Sequence, residues 1–404
     1  MITAQLDETP GTTTISRSSS TDFVARAKTL RALIESEAAK AENSNTLSLK
    51  VVEAMREQEL FWLLVPKSLG GTEGSVITFI KMLEEIARSD GSSGWSLMAN
   101  SAATVVASHF CSDAHVARMF GGKRMPIMAA TYMPTGKAVL NRDTYRGGGR
   151  YSFGSGIAHA DWVAGALVVH ENGSPQKQAD GKPRVVGAFL SKEQIRLHGN
   201  WDVVGLQSTG SFDYEIPEQD IPVDWTFNQY WTEPRRGSNV AGMGALATVY
   251  SGHTGVILGM ANRALEEVAR IATQRKRLGS TETIASTQIF RIEFAKHEAL
   301  YRAARALVLQ VFADAEATAN TGKAISNMQL QRIRQTCTWA HQAARDVVRF
   351  SYDAVSASLR KPSVLGKYLV DVSVGAQHIV VDPMTLVDAA PLLIESWADA
   401  GASA

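Results

Sequence analysis

The spacing of apolar residues changes twice along this chain, and that switch limits the folds open to it. From Asp22 onward apolar side chains recur at helical spacing, through Phe23, Ala27, Leu30, Leu33 and Ile34 and again through Val51, Val52, Met55, Leu60 and Phe61. From Pro126 to about Trp225 the period is two. Val163, Gly165, Leu167 and Val169 alternate with Ala164, Ala166 and Val168, and Val185 to Leu190 is a further short apolar run. Helical spacing still reads as far as about Leu140, so the first two patterns overlap. From Ser238 it returns in long segments, Ile289 to Ala317 and Met328 to Ala357. The order predicts an α+β fold: a loose tail over 1–20, an N-terminal helical domain over 21–125, a central β domain over 126–235 and a C-terminal helical bundle over 236–404.

Charge and cysteine usage narrow the function classes. Across 404 residues, 41 Lys and Arg stand against 40 Asp and Glu, so no global field draws nucleic acid or an anionic membrane. Two cysteines, Cys111 and Cys337, allow neither a disulfide framework nor a cysteine metal site, no metal centre is expected, and a reducing cytoplasm fits. The first twenty residues are rich in Thr and Ser without a continuous apolar core, unlike a signal peptide. Val240 to Leu265 is the most apolar long segment. Ser251, His253, Thr254, Asn262 and several glycines interrupt it, which predicts a helix buried in protein rather than a membrane span. Gly242, Gly244, Gly252, Gly255 and Gly259 there point to close helix approach or to a groove where backbone meets ligand.

The stretch Tyr151 to Trp162 reads as a strand end, a small-residue corner and a new strand. Gly154 and Gly156 flank Ser155. Without Cβ atoms on either side, the backbone can lie against a flat ligand while Ser155 offers N–H and hydroxyl to its edge. The same residues would also make a tight β-corner with no ligand.

Three segments carry a resemblance. Arg275-Lys276-Arg277-Leu278-Gly279, followed by Phe290 and Ile292, is similar to the Arg-x-x-Phe-Gly segment of the acyl-CoA dehydrogenase superfamily, with Leu278 in place of the aromatic and Ser286 where a glutamine is common. Phe153-Gly154-Ser155-Gly156, continuing to His159-Ala160-Asp161, resembles that family's Trp-Ile-Thr-Asn segment, and Ala130 to Gly136 occupies the place of its other flavin-contacting strand end. The resemblance implies an N-terminal helical domain, a β-barrel-like middle, a C-terminal four-helix bundle and a homotetramer built as a dimer of dimers. It also implies that Ser155 lies against flavin N5, that Gly156, Thr131, Tyr132 and Trp95 border the ring, and that Arg275 reaches a flavin phosphate across a subunit interface.

A missing residue indicates the branch. An acyl-CoA dehydrogenase needs a carboxylate to take the α-proton of a thioester, yet no Asp or Glu occurs from Ser238 to Leu265 or between Asp371 and Asp382, where His378 stands. Lys367 to Asp382, Gly91-Ser92-Ser93-Gly94-Trp95 and Val204 to Ser211 resemble the oxygenase components of two-component flavin-dependent monooxygenases, such as 4-hydroxyphenylacetate 3-hydroxylase and the steroid-degradation phenol hydroxylase. Gln207 and Val370 replace arginines often seen there. That branch implies reduced FAD or FMN supplied by a separate flavin reductase, O2 as cosubstrate, a C4a-hydroperoxide and a small phenolic or indolic substrate. His378 would act as base toward the substrate or as donor to the peroxide. Asp382, four residues on, would share a helical face with His378 and orient it. The alternatives are an acyl-CoA dehydrogenase, a related flavin oxidase or N-oxygenase, or an inactive scaffold protein.

Overall fold

The computed structural model describes residues 22–231, 234–237 and 239–402; the tail expected over 1–20 lies outside them. Six helices come first: α1 (Phe23–Thr29), α2 (Arg31–Asn43), α3 (Leu49–Glu57), α4 (Val76–Ser89), α5 (Gly91–Phe110) and α6 (Asp113–Phe120). Their starts follow the polar residues before them. Asp22, Ser48, Ser75, Asp90 and Ser112 each accept a backbone N–H of the first turn. Helix α5 is rich in Gly, Ser and Ala and is buried along almost its whole length, because small side chains let neighbouring elements close on it from every side.

Eight strands follow: β1 (Met128–Asn141), β2 (Thr144–Gly154), β3 (Trp162–Glu171), β4 (Ser174–Pro175), β5 (Val185–Ser191), β6 (Arg196–Leu197), β7 (Phe212–Pro222) and β8 (Thr226–Asn228). Helical structure ends at Phe120, and the apparent helical spacing up to about Leu140 belongs to β1. The strands form one mixed sheet in the order β6-β7-β2-β1-β3-β5-β8, with β4 on β3. Strands β1 and β3 run parallel, and β1 shifts register between Thr131 and Gly136. The path runs from β6 to β8 without closing, so the expected barrel-like middle is an open sheet among the described residues.

Helices return as α7 (Asn239–Met243), α8 (Ala245–Gln274), α9 (Gln288–Asn320), α10 (Asn327–Asp353), α11 (Val364–Gly375) and α12 (Met384–Ala402). Helix α8 is the axis of this half and packs against α4, α5, α9, α10 and α11. Its glycines serve close approach. A Cβ on Gly259 would lie 2.4 Å from Glu84 O, and one on Gly255 2.8 Å from Ile80 O. No described helix is long and apolar enough to cross a membrane. Two apolar clusters result, one spanning the helices and one on the sheet around Tyr145, Tyr151, Leu167 and Tyr214. The corner after β2 sits where they meet.

Candidate active site

The corner is held rigidly. Phe153 adopts φ 64° while 70% exposed, a conformation a bulky residue rarely takes outside a constrained turn. Ser155 N–H donates to Phe153 O at 2.8 Å, and Gly156 N–H donates to Thr209 O at 2.9 Å. Gly156 has φ 69°, and a Cβ there would lie 2.2 Å from Asn100 Oδ1, so both backbone and packing demand glycine. Beyond it, Asp161 Oδ2 accepts from Arg56 Nη2 at 2.9 Å and from Ile127 N at 2.7 Å, tying the corner to α3.

A tryptophan joins this corner to the helices. Trp95, on the second turn of α5, donates from Nε1 to Ser155 Oγ at 3.2 Å. Ser155 Oγ lies 2.8 Å from Ser211 Oγ, Ser211 Oγ lies 2.7 Å from Thr209 Oγ1, and Thr209 Oγ1 donates to Leu206 O at 2.9 Å. The far side of the indole meets imidazoles. The His253 ring stands edge-on to it at 4.9 Å and the His378 ring at 5.7 Å, and the two imidazoles are 4.5 Å apart. His341 lies 6.0 Å beyond His253. Three of the predicted residues, Ser155, Trp95 and His378, are therefore brought together.

His378 heads a 3-10 turn, Ile379–Val381, and its Nδ1 accepts the Val380 N–H at 3.3 Å. Burial pushes its pKa down to about 4. The ring is neutral at physiological pH and, with Nδ1 occupied as an acceptor, carries its proton on Nε2. Burial likewise lowers His341 to about 4, and burial with the neighbouring imidazoles holds His253 well below its ordinary value. Asp382 does not orient His378. The turn between them is 3-10 and breaks before Pro383, so the four-residue spacing no longer brings one side chain over the other. Asp382 is exposed, and its Oδ1 accepts from Met384 N at 2.8 Å at the start of α12.

A buried charge cluster supports the site from below. Lys367 Nζ meets Asp371 at 2.8 Å, Glu42 at 2.9 Å and Asp90 at 3.2 Å. Burial alone would lower the Lys367 pKa, but these carboxylates outweigh it and raise the pKa well above its ordinary value. The other oxygen of Asp371 accepts Leu206 N–H at 2.6 Å. One cluster thus fixes α2, the start of α5, α11 and the loop that ends at Ser211.

The remaining predicted residues lie elsewhere. Thr131 donates from Oγ1 to Ser152 O at 3.1 Å, and its N–H donates to Tyr214 Oη at 3.1 Å, so it braces the strands beneath the corner. Tyr132 stacks edge-on with Trp231 at 5.0 Å and makes no ring contact with Trp95. Arg275 is exposed at the C-terminus of α8. It follows His253 by 22 positions on a helix, about 33 Å at 1.5 Å per residue. The residues that spacing did not reveal are Thr209, Ser211, His253 and His341. The first two lie within the Val204 to Ser211 motif, whose hydroxyls gave no sign of direction; the two histidines meet only because α8 and α10 cross near the end of α11. A groove of about 610 Å³ between α10 and α11, lined by Arg345, Asp346, Arg349 and Asp353, contains none of these residues.

Comparison with known proteins bears on the family and the fold. Residues 24–121 match the acyl-CoA dehydrogenase N-terminal domain and residues 251–383 its C-terminal domain. Indole-3-acetate monooxygenase of Pseudomonas putida is 26% identical over 345 residues, 85% of this chain and 86% of that protein. Two solved structures share the fold. The 3-HSA hydroxylase from Rhodococcus sp. RHA1 superposes with a TM-score of 0.82 at 21% identity, covering 91% of this chain and 95% of that one. XiaF from Streptomyces sp., in complex with FADH2 and glycerol, gives 0.81 at 22% identity, covering 89% and 91%.

Proposed function

We propose, for a chain that belongs to the acyl-CoA dehydrogenase family, the role of oxygenase component in a two-component flavin-dependent monooxygenase: it takes reduced flavin from a separate reductase and hydroxylates a small phenolic or indolic substrate with O2. The observation that carries this reading is Trp95, whose indole holds the Ser155 hydroxyl at one edge and the His378 imidazole near another.

The residues fit a flat, polar-edged ring. A planar indole stands beside a hydroxyl and an imidazole, and Ser92 and Ser96 on the same helix and Ser208 in the loop before Ser211 keep buried hydroxyls without a hydrogen-bond partner. Bound there, reduced flavin would supply the electrons that activate O2. Ser155 would meet the N5 edge, Gly156 would keep the corner tight, Thr131 would brace the strand end, and Trp95 would wall the ring and keep water out. His378 acts as a donor from Nε2 and not as a base, because the Val380 N–H occupies the nitrogen that would otherwise carry the proton. A dehydrogenase would need a free carboxylate here. Asp371 is already bound through both oxygens, to Lys367 and to the Leu206 N–H.

Arg275 requires a second chain. About 33 Å of helix separates it from His253, further than one flavin spans beside the corner, so Arg275 would hold the phosphate of a flavin seated in a neighbouring subunit. The exposed apolar residues of α12, Met384, Val387, Ile394 and Trp397, supply a surface for such assembly, with the homotetramer as the family's form.

The test is product formation with chemically reduced FMN or FAD, O2 and a panel including indole-3-acetate and 4-hydroxyphenylacetate. Hydroxylated product is expected from the wild type, with a loss of at least tenfold in Ser155→Ala. No product from any member would remove the reading. Light scattering on the same preparation should show more than one chain; a monomer that still binds flavin fully would remove Arg275 from the account.

A further inference from the structure

We propose that His253 is a specificity-determining residue of this site: a bare nitrogen of its ring accepts the O–H or N–H of the aromatic substrate, and His341 positions it by drawing its one proton to the other side. This rests on the substrate reading above and gives a use to two imidazoles that the reading leaves idle.

His253 differs from the other buried histidines. His109 gives a ring N–H to Val105 O at 2.9 Å, His115 to Phe189 O at 3.0 Å and His341 to Cys337 O at 2.8 Å. His253 is just as buried, at 2% exposed, yet its Nδ1 has no hydrogen-bond partner and no main-chain carbonyl takes a proton from the ring among the described residues. Burial and the neighbouring imidazoles keep it neutral, so it carries one proton and one lone pair.

The neighbours decide where that proton turns. His378 offers no acceptor, because its Nδ1 takes the Val380 N–H and its Nε2 carries a hydrogen. His341 does offer one. Its Nδ1–H is spent on Cys337 O, which leaves Nε2 as a bare lone pair, buried and without a partner. With 6.0 Å between the rings, this is the one nitrogen lone pair among the imidazoles beside His253 that its proton can turn toward. The second His253 nitrogen is then an acceptor. His378 does not fill it: the two rings are tilted by 41° with 4.5 Å between centres, closer than an in-plane N–H···N bond permits.

Position selects the partner. Trp95 meets Ser155 through Nε1 and meets His253 edge-on at 4.9 Å on its far side. The flavin edge belongs to Ser155 in the reading above, so the molecule that reaches His253 is the substrate. A phenol O–H or an indole N–H supplies the donor that a buried acceptor needs, whereas a methyl ether or an N-methylindole leaves the nitrogen unpaired. A site of this kind should reject the methylated analogue by at least about tenfold.

The experiment titrates two ligand pairs by calorimetry, 4-hydroxyphenylacetate with 4-methoxyphenylacetate and indole-3-acetate with 1-methylindole-3-acetate. Oxygen is excluded and reduced FMN or FAD is saturating, so binding is read without turnover. Proteins compared are the wild type, His253→Phe, His253→Gln and His341→Phe, each checked for folding by circular dichroism. In the pair that the wild type binds, the hydrogen-bearing member is expected to bind at least about tenfold more tightly. His253→Phe should bring the two affinities to within about twofold, since only the hydrogen bond is lost; a mere clash with the added methyl group would leave the ratio standing. His253→Gln, which offers an amide oxygen, should recover part of the preference, and a ratio no larger than that of His253→Phe would show that ring packing sets it instead. His341→Phe frees the His253 proton to turn into the site and should narrow the ratio. If His253→Phe does not fold, His341→Phe decides. A wild type that binds both members equally, or a wild-type ratio in folded His253→Phe, would overturn the proposal while leaving the substrate reading in place. A wild-type ratio in His341→Phe beside a collapsed one in His253→Phe would overturn the role given to His341. Binding of neither pair by the wild type would overturn the phenolic or indolic reading itself.

Discussion

Trp95 shows how far one residue can be read from sequence. The resemblance of Gly91-Ser92-Ser93-Gly94-Trp95 set it beside the expected ring, and Ser155 and His378 were singled out by the glycine-flanked corner and by the missing carboxylate. What joins them was not legible, because the Nε1 bond to Ser155 and the ring contact with His378 link residues far apart in the chain. Asp382 misled for a local reason: four-residue spacing pairs side chains only while an α-helix continues, and here a 3-10 turn intervenes. The donor role of His378 can be checked by the fate of oxygen. His378→Ala should keep flavin affinity within about threefold but shift consumed O2 from product to hydrogen peroxide by tenfold or more, a change of the order of one strong hydrogen bond. His378→Gln, which offers an N–H near the same place, should recover part of that loss. Equal coupling in all three proteins would take His378 out of the chemistry.

At the scale of elements, the glycine spacing of α8 was open to two readings, close helix approach or a ligand groove, and the packing settles it as approach. Gly255 and Gly259 lie against the backbone of α4, where sequence alone does not show which helix the neighbour is. A methyl group at position 259 would have to displace the Glu84 carbonyl. Gly259→Ala is expected to destabilise the protein by about 1–3 kcal/mol, outweighing the better helix propensity of alanine; urea unfolding reads it, and a neutral or stabilising result would mean the two helices separate freely. The first helical region was legible from its period. Its end was not, since β1 contains apolar and small residues that match either period.

For the whole molecule, alternation and helical spacing were enough to order the three regions, whereas the way the sheet and helices share one site depends on contacts no local pattern encodes. Burial has a further global effect. His109, His115, His159, His341 and His378 are lowered from 6.5 to about 4, chiefly by burial, and His253 is held well below its ordinary value by burial and the neighbouring imidazoles. Between those two pH values the unfolded chain binds protons that the folded chain refuses, so their stability contribution is complete above about pH 6.5 and is lost as pH falls toward 4. Burial raises Glu84 and Asp371, which acts in the opposite sense, but on fewer groups. The melting temperature should fall steeply from pH 7 to pH 4.5 in a calorimetric series; a flat or rising profile would show that these imidazoles are protonated in the folded state.

Leu206 ends the hydroxyl chain with its carbonyl while its amide is held by Asp371, a member of the buried charge cluster. A substitution deep among α2, α5 and α11 can therefore reach the hydroxyls beside Ser155 through one loop residue, without altering any side chain of that series.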